Sequence, residues 1–420
     1  MSGLRFHDGS GRLLANRNFT LLWVGDVVSG FGSQATTVAM PLLVLSLTGS
    51  PAKAGIVGFA RSLAYALTPL PAGVLVDRFD RRRLMIVCAA GRALTMGSVV
   101  LMLALGHPPL VQLLVVAFAN AMLWSVSLIA ERGLLPGVVA TNVLPDAVAL
   151  NEAREAVAVI GGPPLGGALF GISRGLPFVA DTASFLAAGL AVLGVRVAPV
   201  DEPRTSARDG PMEAIRAGLS WLWRAPFLRD GSLLYAAANV TLSSVELLAL
   251  LIARRYGASP AAIGAAFAIM GAGGVASAAL ARPLRRRLTS RWSVLCEPWF
   301  AVAFVPMLLL CHAALPIGVV VAVMFLPMAL SSSVIVGQRL ALAPDHLRGR
   351  VQASASFIAG SIAWSGPLVV GVLFQEAGET TTVLTLSGWT LAVAIAATLS
   401  GGLRQLPGPP RPAAQDPDHV

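Results

Sequence analysis

Asp26 and Glu246 each stand inside an apolar stretch long enough to cross a lipid bilayer, where an ionisable group is costly unless it is paired or does a job. Asp26 follows Leu21, Leu22, Trp23 and Val24; at the helical rise per residue it would sit roughly 10 Å below the start of its helix. Glu246 follows Asn239, Thr241, Ser243 and Ser244, a polar approach inside an otherwise apolar helix. A carboxylate held where water is scarce keeps a proton more readily than one in solution, which suits it to take up a proton on one side of a membrane and release it on the other. Both acids are therefore proton-coupling candidates. For Asp26 a permanent ion pair with an arginine at similar depth, such as Arg92, is the competing reading, and for either acid a structural network is.

No catalytic constellation accompanies them. His7, His107, His312, His346 and His419 are scattered over termini and loop edges, and Cys88, Cys296 and Cys311 have no metal-ligand spacing. The chain's only lysine is Lys53, so no phosphate-cradling loop with its lysine is present to bring in a nucleotide. The residues point to no enzyme, no catalytic residue, no metal and no cofactor.

The elements that must hold these acids follow from composition. With 55% hydrophobic and 12% charged residues and a mean hydropathy of +0.74, a chain of 420 residues is too apolar for a water-soluble globule. Twelve stretches reach the roughly 20 residues that a helix needs to cross the hydrocarbon core: 19–46, 54–76, 84–106, 109–131, 148–172 and 176–196, then 230–253, 260–281, 292–312, 315–338, 351–375 and 382–403. The first is too long for a signal peptide and has no small-residue cleavage site.

If both termini are cytoplasmic, the basic residues concentrate on the inner side, as membrane proteins require. Lys53, Arg174, Arg254 and Arg255 then fall outside, and Arg61 and Arg92 within spans. The formal net charge of +10 thus reports topology and contact with anionic lipid, and no basic soluble domain exists to bind nucleic acid. The expected organisation is a cytoplasmic N-terminal segment (1–18), a six-helix bundle (19–196), a cytoplasmic linker (197–229), a second six-helix bundle (230–403) and a disordered, proline-rich cytoplasmic tail (404–420). Within the linker, Ile215, Leu219 and Leu222 have amphipathic spacing and predict a short helix on the membrane surface.

The halves are copies of one another. Gly73, Asp77, Arg78, Arg81, Arg82, Arg83 and Leu84 form a loop after the second span, and about 200 residues later a weaker copy keeps Arg282, Arg285, Arg286, Arg287 and Leu288 but has Ser277 for the glycine and Ala281 for the acid. Gly162, Pro163 and Gly167 in the fifth span recur at the same offset as Gly366, Pro367 and Gly371 in the eleventh. Repeats of this size are the building blocks of secondary transporters, in which two similar bundles rock about a central site.

The loop at 73–83 resembles the signature between the second and third helices of the major facilitator superfamily. Ser29-Gly30-Phe31-Gly32, Ala60-Arg61-Ser62-Leu63, Asp181-Thr182-Ala183-Ser184-Phe185, Trp223-Arg224-Ala225-Pro226 and Leu347-Arg348-Gly349-Arg350-Val351 resemble the branch of enterobactin-type siderophore exporters and macrolide or multidrug efflux proteins, over about residues 15–403. The resemblance implies an all-α integral membrane protein with twelve transmembrane helices in two six-helix halves. It makes Gly73, Asp77, Arg78 and Arg81 a gate loop, Asp77 meeting the start of the eleventh helix, whose partial positive charge favours an anion. Gly162, Pro163, Gly166 and Gly167 resemble the antiporter motif of drug and proton exchangers, with Ala158 in place of its upstream glycine; small residues with proline also serve close helix packing. Arg61, Arg92 and Asp181 resemble framework positions, and with Glu297 they are expected in packing or gating pairs.

The resemblance also places helices one, four, seven and ten around the cavity. Asn120, Trp124 and Ser127 on the fourth span and Phe325, Met328 and Ser332 on the tenth are then cavity candidates, and Glu131, Arg132, Gln338 and Arg339 inner-gate candidates or interfacial anchors. A lining rich in aromatic and thioether surface suits a bulky, partly apolar molecule better than a sugar, whose many polar groups need partners. The implied function is export of a drug, siderophore or other natural product across the bacterial cytoplasmic membrane by proton antiport, from a functional monomer. A proton-coupled importer or an uncoupled facilitator is the alternative, and a transport-inactive receptor or assembly subunit a remote one.

Overall fold

The computed structural model describes residues 13–106, 108–196, 219–343 and 348–404, which are nearly all helical, with no strand among them. Among the described residues eleven helices are long and apolar enough to cross a membrane, twelve if the one bent pair is counted as a span. Spans 1 to 6 are Arg17–Thr48, the bent pair Pro51–Leu67 and Pro69–Arg78, Arg81–Ala104, Leu110–Gly137, Thr141–Ile172 and Leu176–Leu193. Spans 7 to 12 are Pro226–Arg255, Pro260–Arg285, Ser290–Leu310, Ala314–Arg339, Phe357–Glu376 and Gly378–Leu399.

Local sequence sets the starts and breaks. Asn16, Ser50, Asp80, Ser259 and Thr289 each accept a backbone N–H at a helix start, the standard use of these side chains. Span 2, expected to run unbroken over 54–76, bends by 54° where Pro69 and Pro71 remove two backbone donors. Span 10 is interrupted between Phe325 and Met328, at Pro327, and Pro298 lies inside span 9. Span 12 starts at Gly378 rather than near 382, because that glycine, at φ 80°, turns the chain directly out of span 11.

The two halves meet along spans 5 and 8 and along spans 2 and 11, and the repeated glycines make both seams. A side-chain carbon at Gly167 would lie 3.1 Å from Gly264 Cα, and one at Gly371 would lie 2.8 Å from Gly55 Cα. Backbones that close exclude any larger residue, and this is how helices in lipid gain packing energy without a hydrophobic driving force. Gly162 lies against Phe31 and Gln34 of span 1, and Gly366 against Val240, Ser243 and Ser244 of span 7. The motif thus does the same structural work in each half.

One buried cluster ties the halves together at the end opposite the arginine loops: Leu42 and Leu43 of span 1, Leu248 and Ile252 of span 7, Ile263 of span 8 and Val370 of span 11. Toward the arginine loops the buried clusters belong to one half or the other, Phe19, Val76, Met85 and Leu134 in the first, Leu228, Val294, Ile335 and Val351 in the second. The halves are joined at one end and part at the other. Of the linker, 197–218 lies outside the described residues, as does the tail from 405; residues 219–224 are helical, and Leu222 is fully buried with Leu228 and Val351 rather than lying on a lipid surface.

Candidate functional site

A central cavity of about 760 Å³ lies between the halves. Its walls run from Pro41, Ala54 and Leu250 near the sealed end to Pro69, Tyr235, Arg339 and Ala355 toward the arginine loops. Span 2 contributes a full face, including Arg61, Ser62 and Tyr65, because residues three or four apart in a helix share a side. Arg61 lies 5.6 Å from the centre of the Tyr65 ring, and Tyr65 packs edge-on against Trp124 at 5.2 Å. Glu246 faces this group from span 7 and feels the charge of Arg61 without an ion-pair contact. The remainder of the wall is dominated by aliphatic and aromatic side chains.

A second pocket, of about 110 Å³, lies inside the first half and shares Trp124 and Leu128 with the central cavity. Its polar heart is Arg154 on span 5, with Nη1 2.8 Å from Asp26 Oδ2 and Nη2 3.2 Å from Glu131 Oε1. Asn151, one turn before Arg154, donates to the same Glu131 oxygen at 3.2 Å. Deeper in this half, the buried Arg92 donates to Ser33 Oγ at 2.8 Å and Asn120 Oδ1 at 3.4 Å and lies 4.0 Å from the Phe185 ring centre. Asp181, fully buried, accepts from Thr36 Oγ1 at 2.9 Å. Two acids around one guanidinium, with a second arginine nearby, is a compensated arrangement for charges in a low-dielectric interior.

A third pocket, of about 130 Å³, lies within the second half and shares Tyr235, Asn239 and Leu242 with the central cavity. Phe325 and Met328 line it, flanking the break in span 10, and Glu297 is its one charged residue.

The residues singled out from the sequence therefore separate. Glu246, Trp124 and Arg339 line the central cavity. Asp26, Glu131 and Ser127 meet in the first-half pocket, where Asp26 takes Arg154, not Arg92, as its partner. Phe325 and Met328 face the second-half pocket, Asn120 is turned to Arg92, and Ser332 Oγ donates to its own helix at Ala329 O. Arg132 is exposed at the end of span 4, Gln338 is half-buried in span 10, and Glu131 bonds within its own half.

The stretch expected as a loop is largely helical, Gly73 to Arg78 ending span 2 and Arg81 to Arg83 opening span 3 with only Phe79 and Asp80 between; Arg81 donates to Gly133 O at the end of span 4, and Arg82 to Val192 O at 3.1 Å and Leu193 O at 2.6 Å at the end of span 6. Cations at helix C-termini complement the carbonyls there. Gly73 is half-buried and Asp77 and Arg78 are exposed; the helix leading into span 11, whose start is expected to meet Asp77, is described from Arg348, and residues 344–347 before it lie outside the described residues. Arg154, Tyr65 and Tyr235 are site residues that the sequence reading passed over. Arg154 was legible: it lies inside an apolar span, one turn from Asn151 on the same face.

Two six-helix halves joined by spans 2, 5, 8 and 11 around a central cavity define a transporter of the major facilitator class. The family model described as "Transmembrane secretion effector" matches residues 12–410, and the chain belongs to that family. It is 28% identical over 405 residues, 92% of this chain and 96% of the other, to the multidrug efflux pump Tap of Mycolicibacterium fortuitum. The fold is similar to that of the nucleoside transporter NupG (TM-score 0.72, 13% identity, 92% of this chain and 99% of that one). It is also similar to a bacterial homologue of the iron transporter ferroportin in an inward-facing state (TM-score 0.70, 17% identity, 92% and 98%). The protein is a multi-pass membrane transporter.

Proposed function

We propose that this transporter exports a small amphipathic molecule across the bacterial cytoplasmic membrane in exchange for protons. The observation that carries the reading is the central cavity: about 760 Å³ of mostly apolar and aromatic wall, with Glu246 and Arg61 facing each other inside it. That volume suits a drug-sized molecule, and so few polar groups would leave a sugar's hydroxyls unpaired. The 28% identity to a pump named for multidrug efflux over nearly the full length supports the direction.

In this reading the arginine-loop end is cytoplasmic, both termini lie inside, and the structure is the state open to the cytoplasm. The two bundles are the units that rock, hinged on the glycine seams between spans 5 and 8 and spans 2 and 11. Cargo enters between Tyr65, Trp124 and Tyr235. A proton reaching Glu246 from outside removes its charge, weakens its hold on the cargo and leaves Arg61 without its counter-charge, which favours return to the inward state. Asp26, held with Glu131 by Arg154, is the second proton candidate. Asp77 locks the inner side only when the cavity closes there, in keeping with its exposure in this open state.

The test is efflux of lipophilic dyes from cells carrying the wild type or Glu246→Gln, with and without a protonophore. Uncoupler-sensitive efflux that is lost in the variant supports the reading. Efflux indifferent to the uncoupler, or uptake in place of efflux, overturns it.

A further inference from the structure

The three pockets differ in how their charges are met. In the first half Asp26 and Glu131 share Arg154, with Arg92 behind them, and in the central cavity Glu246 faces Arg61. Glu297, on span 9, lines the second-half pocket with no basic residue in its lining and no ion pair among the described residues. The polar residues that line the pocket with it are neutral: Tyr235, Asn239, Thr241 and Thr390. A carboxylate at membrane depth without a counter-charge is expensive to keep, and expensive groups of this kind are kept for a ligand or a proton.

The rest of the pocket points to a ligand. Tyr235 and Phe325 offer aromatic faces, and Met324 and Met328 offer thioethers, the surface that receives an organic cation from the side its carboxylate does not reach. A helix-internal proline and a helix break converge here: Pro298 follows Glu297 directly within span 9, and span 10 breaks between Phe325 and Met328. Broken helices beside a cavity are where transporters place binding groups. The volume of about 130 Å³ holds an ammonium group with its substituents but not a whole drug-sized molecule. Tyr235, Asn239 and Leu242 line both spaces, so this pocket adjoins the central cavity at those three side chains.

We propose that the pocket between spans 7, 9, 10 and 12 is a cation subsite, in which Glu297 holds the protonated amine or quaternary ammonium end of an amphipathic cargo whose body occupies the central cavity. This rests on the export reading for what the cavity carries, but the subsite is defined by binding, not by flux or proton coupling.

The experiment measures binding of monodansylcadaverine, a fluorescent lipophilic amine, to the purified protein in detergent. Its N-acetyl derivative, which has nearly the same shape and no charge, is the control. The expected result is that Glu297→Gln weakens amine binding by about tenfold, the scale of a lost charge-assisted contact, and leaves the acetylated probe within about twofold. Glu297→Asp should recover part of the loss, and Asp146→Asn, which removes an exposed acid outside all three pockets, should leave the preference for the amine in place. Retained binding of the acetylated probe reports that the variant is folded; Phe325→Ala, which keeps every charge, should also weaken the amine more than its control. Equal amine binding by wild type and Glu297→Gln, an equal loss of the amine preference in Asp146→Asn, or a wild type that does not prefer the amine would each overturn the subsite. Uncoupler-sensitive export of uncharged dyes would survive all three results, so the export reading stands or falls separately.

Discussion

Arg154 Nη1 lies 2.8 Å from Asp26 Oδ2, an ion pair between spans 5 and 1 that also draws in Glu131 from span 4. The side chains are 12%, 19% and 13% exposed, so the pairing is largely shielded from solvent. Three helices of one half are thereby fastened at a single guanidinium.

Removing the guanidinium leaves two carboxylates facing each other without compensation. Arg154→Ala should therefore destabilise the purified protein by about 3–5 kcal/mol, whereas Asp26→Asn, which leaves Arg154 paired with Glu131, should cost less. The double variant Asp26→Asn with Arg154→Gln should be more stable than Arg154→Ala alone. Thermal melting in detergent checks the order; equal melting of all three would mean that the pair contributes nothing.

The glycine seams make a steric prediction. Gly167→Val and Gly371→Val place side-chain atoms where the backbones of Gly264 and Gly55 already stand. Each should abolish transport while the protein still inserts, because the clash lies between the halves and not within one. Valine at Gly388, where no neighbour lies within 4 Å, is the control and should transport normally.

Accessibility should differ along the cavity. In a background lacking Cys88, Cys296 and Cys311, Ser62→Cys lines the open cavity and should react with a membrane-impermeant maleimide in inside-out vesicles. Leu43→Cys, fully buried in the cluster that seals the other end, should stay unlabelled until transport opens that side. Rapid labelling of Leu43→Cys at rest would show that the seal is not the resting state.

If Asp77 belongs to the proposed gate, Asp77→Asn should insert and fold at normal levels and transport several-fold more slowly. Unchanged transport would remove Asp77 from the gate.

Much of this was legible in the sequence. Span number, the duplication and the packing role of Gly162 to Gly167 follow from hydropathy and repetition, because lipid forces helices and close packing forces glycine. The partners of the charges were not legible. Asp26 meets Arg154 instead of Arg92 because helix order in the bundle, not depth along the chain, decides which side chains converge. Phe325 and Met328 face the pocket beside Glu297, away from the central cavity, because span 10 breaks at Pro327 and changes the face it presents. Periodicity carried across an unbroken helix cannot register such a change.

The central claim is that cargo and protons cross in opposite directions through the cavity holding Glu246. Purified protein in liposomes loaded with a pH-sensitive dye, given an outward gradient of a dye that cells export, tests it directly. The expected result is proton movement opposite to the cargo, absent in Glu246→Gln, which binds cargo more weakly than the wild type. Cargo flux with no proton movement in the wild type, or proton movement in the same direction as the cargo, would contradict antiport.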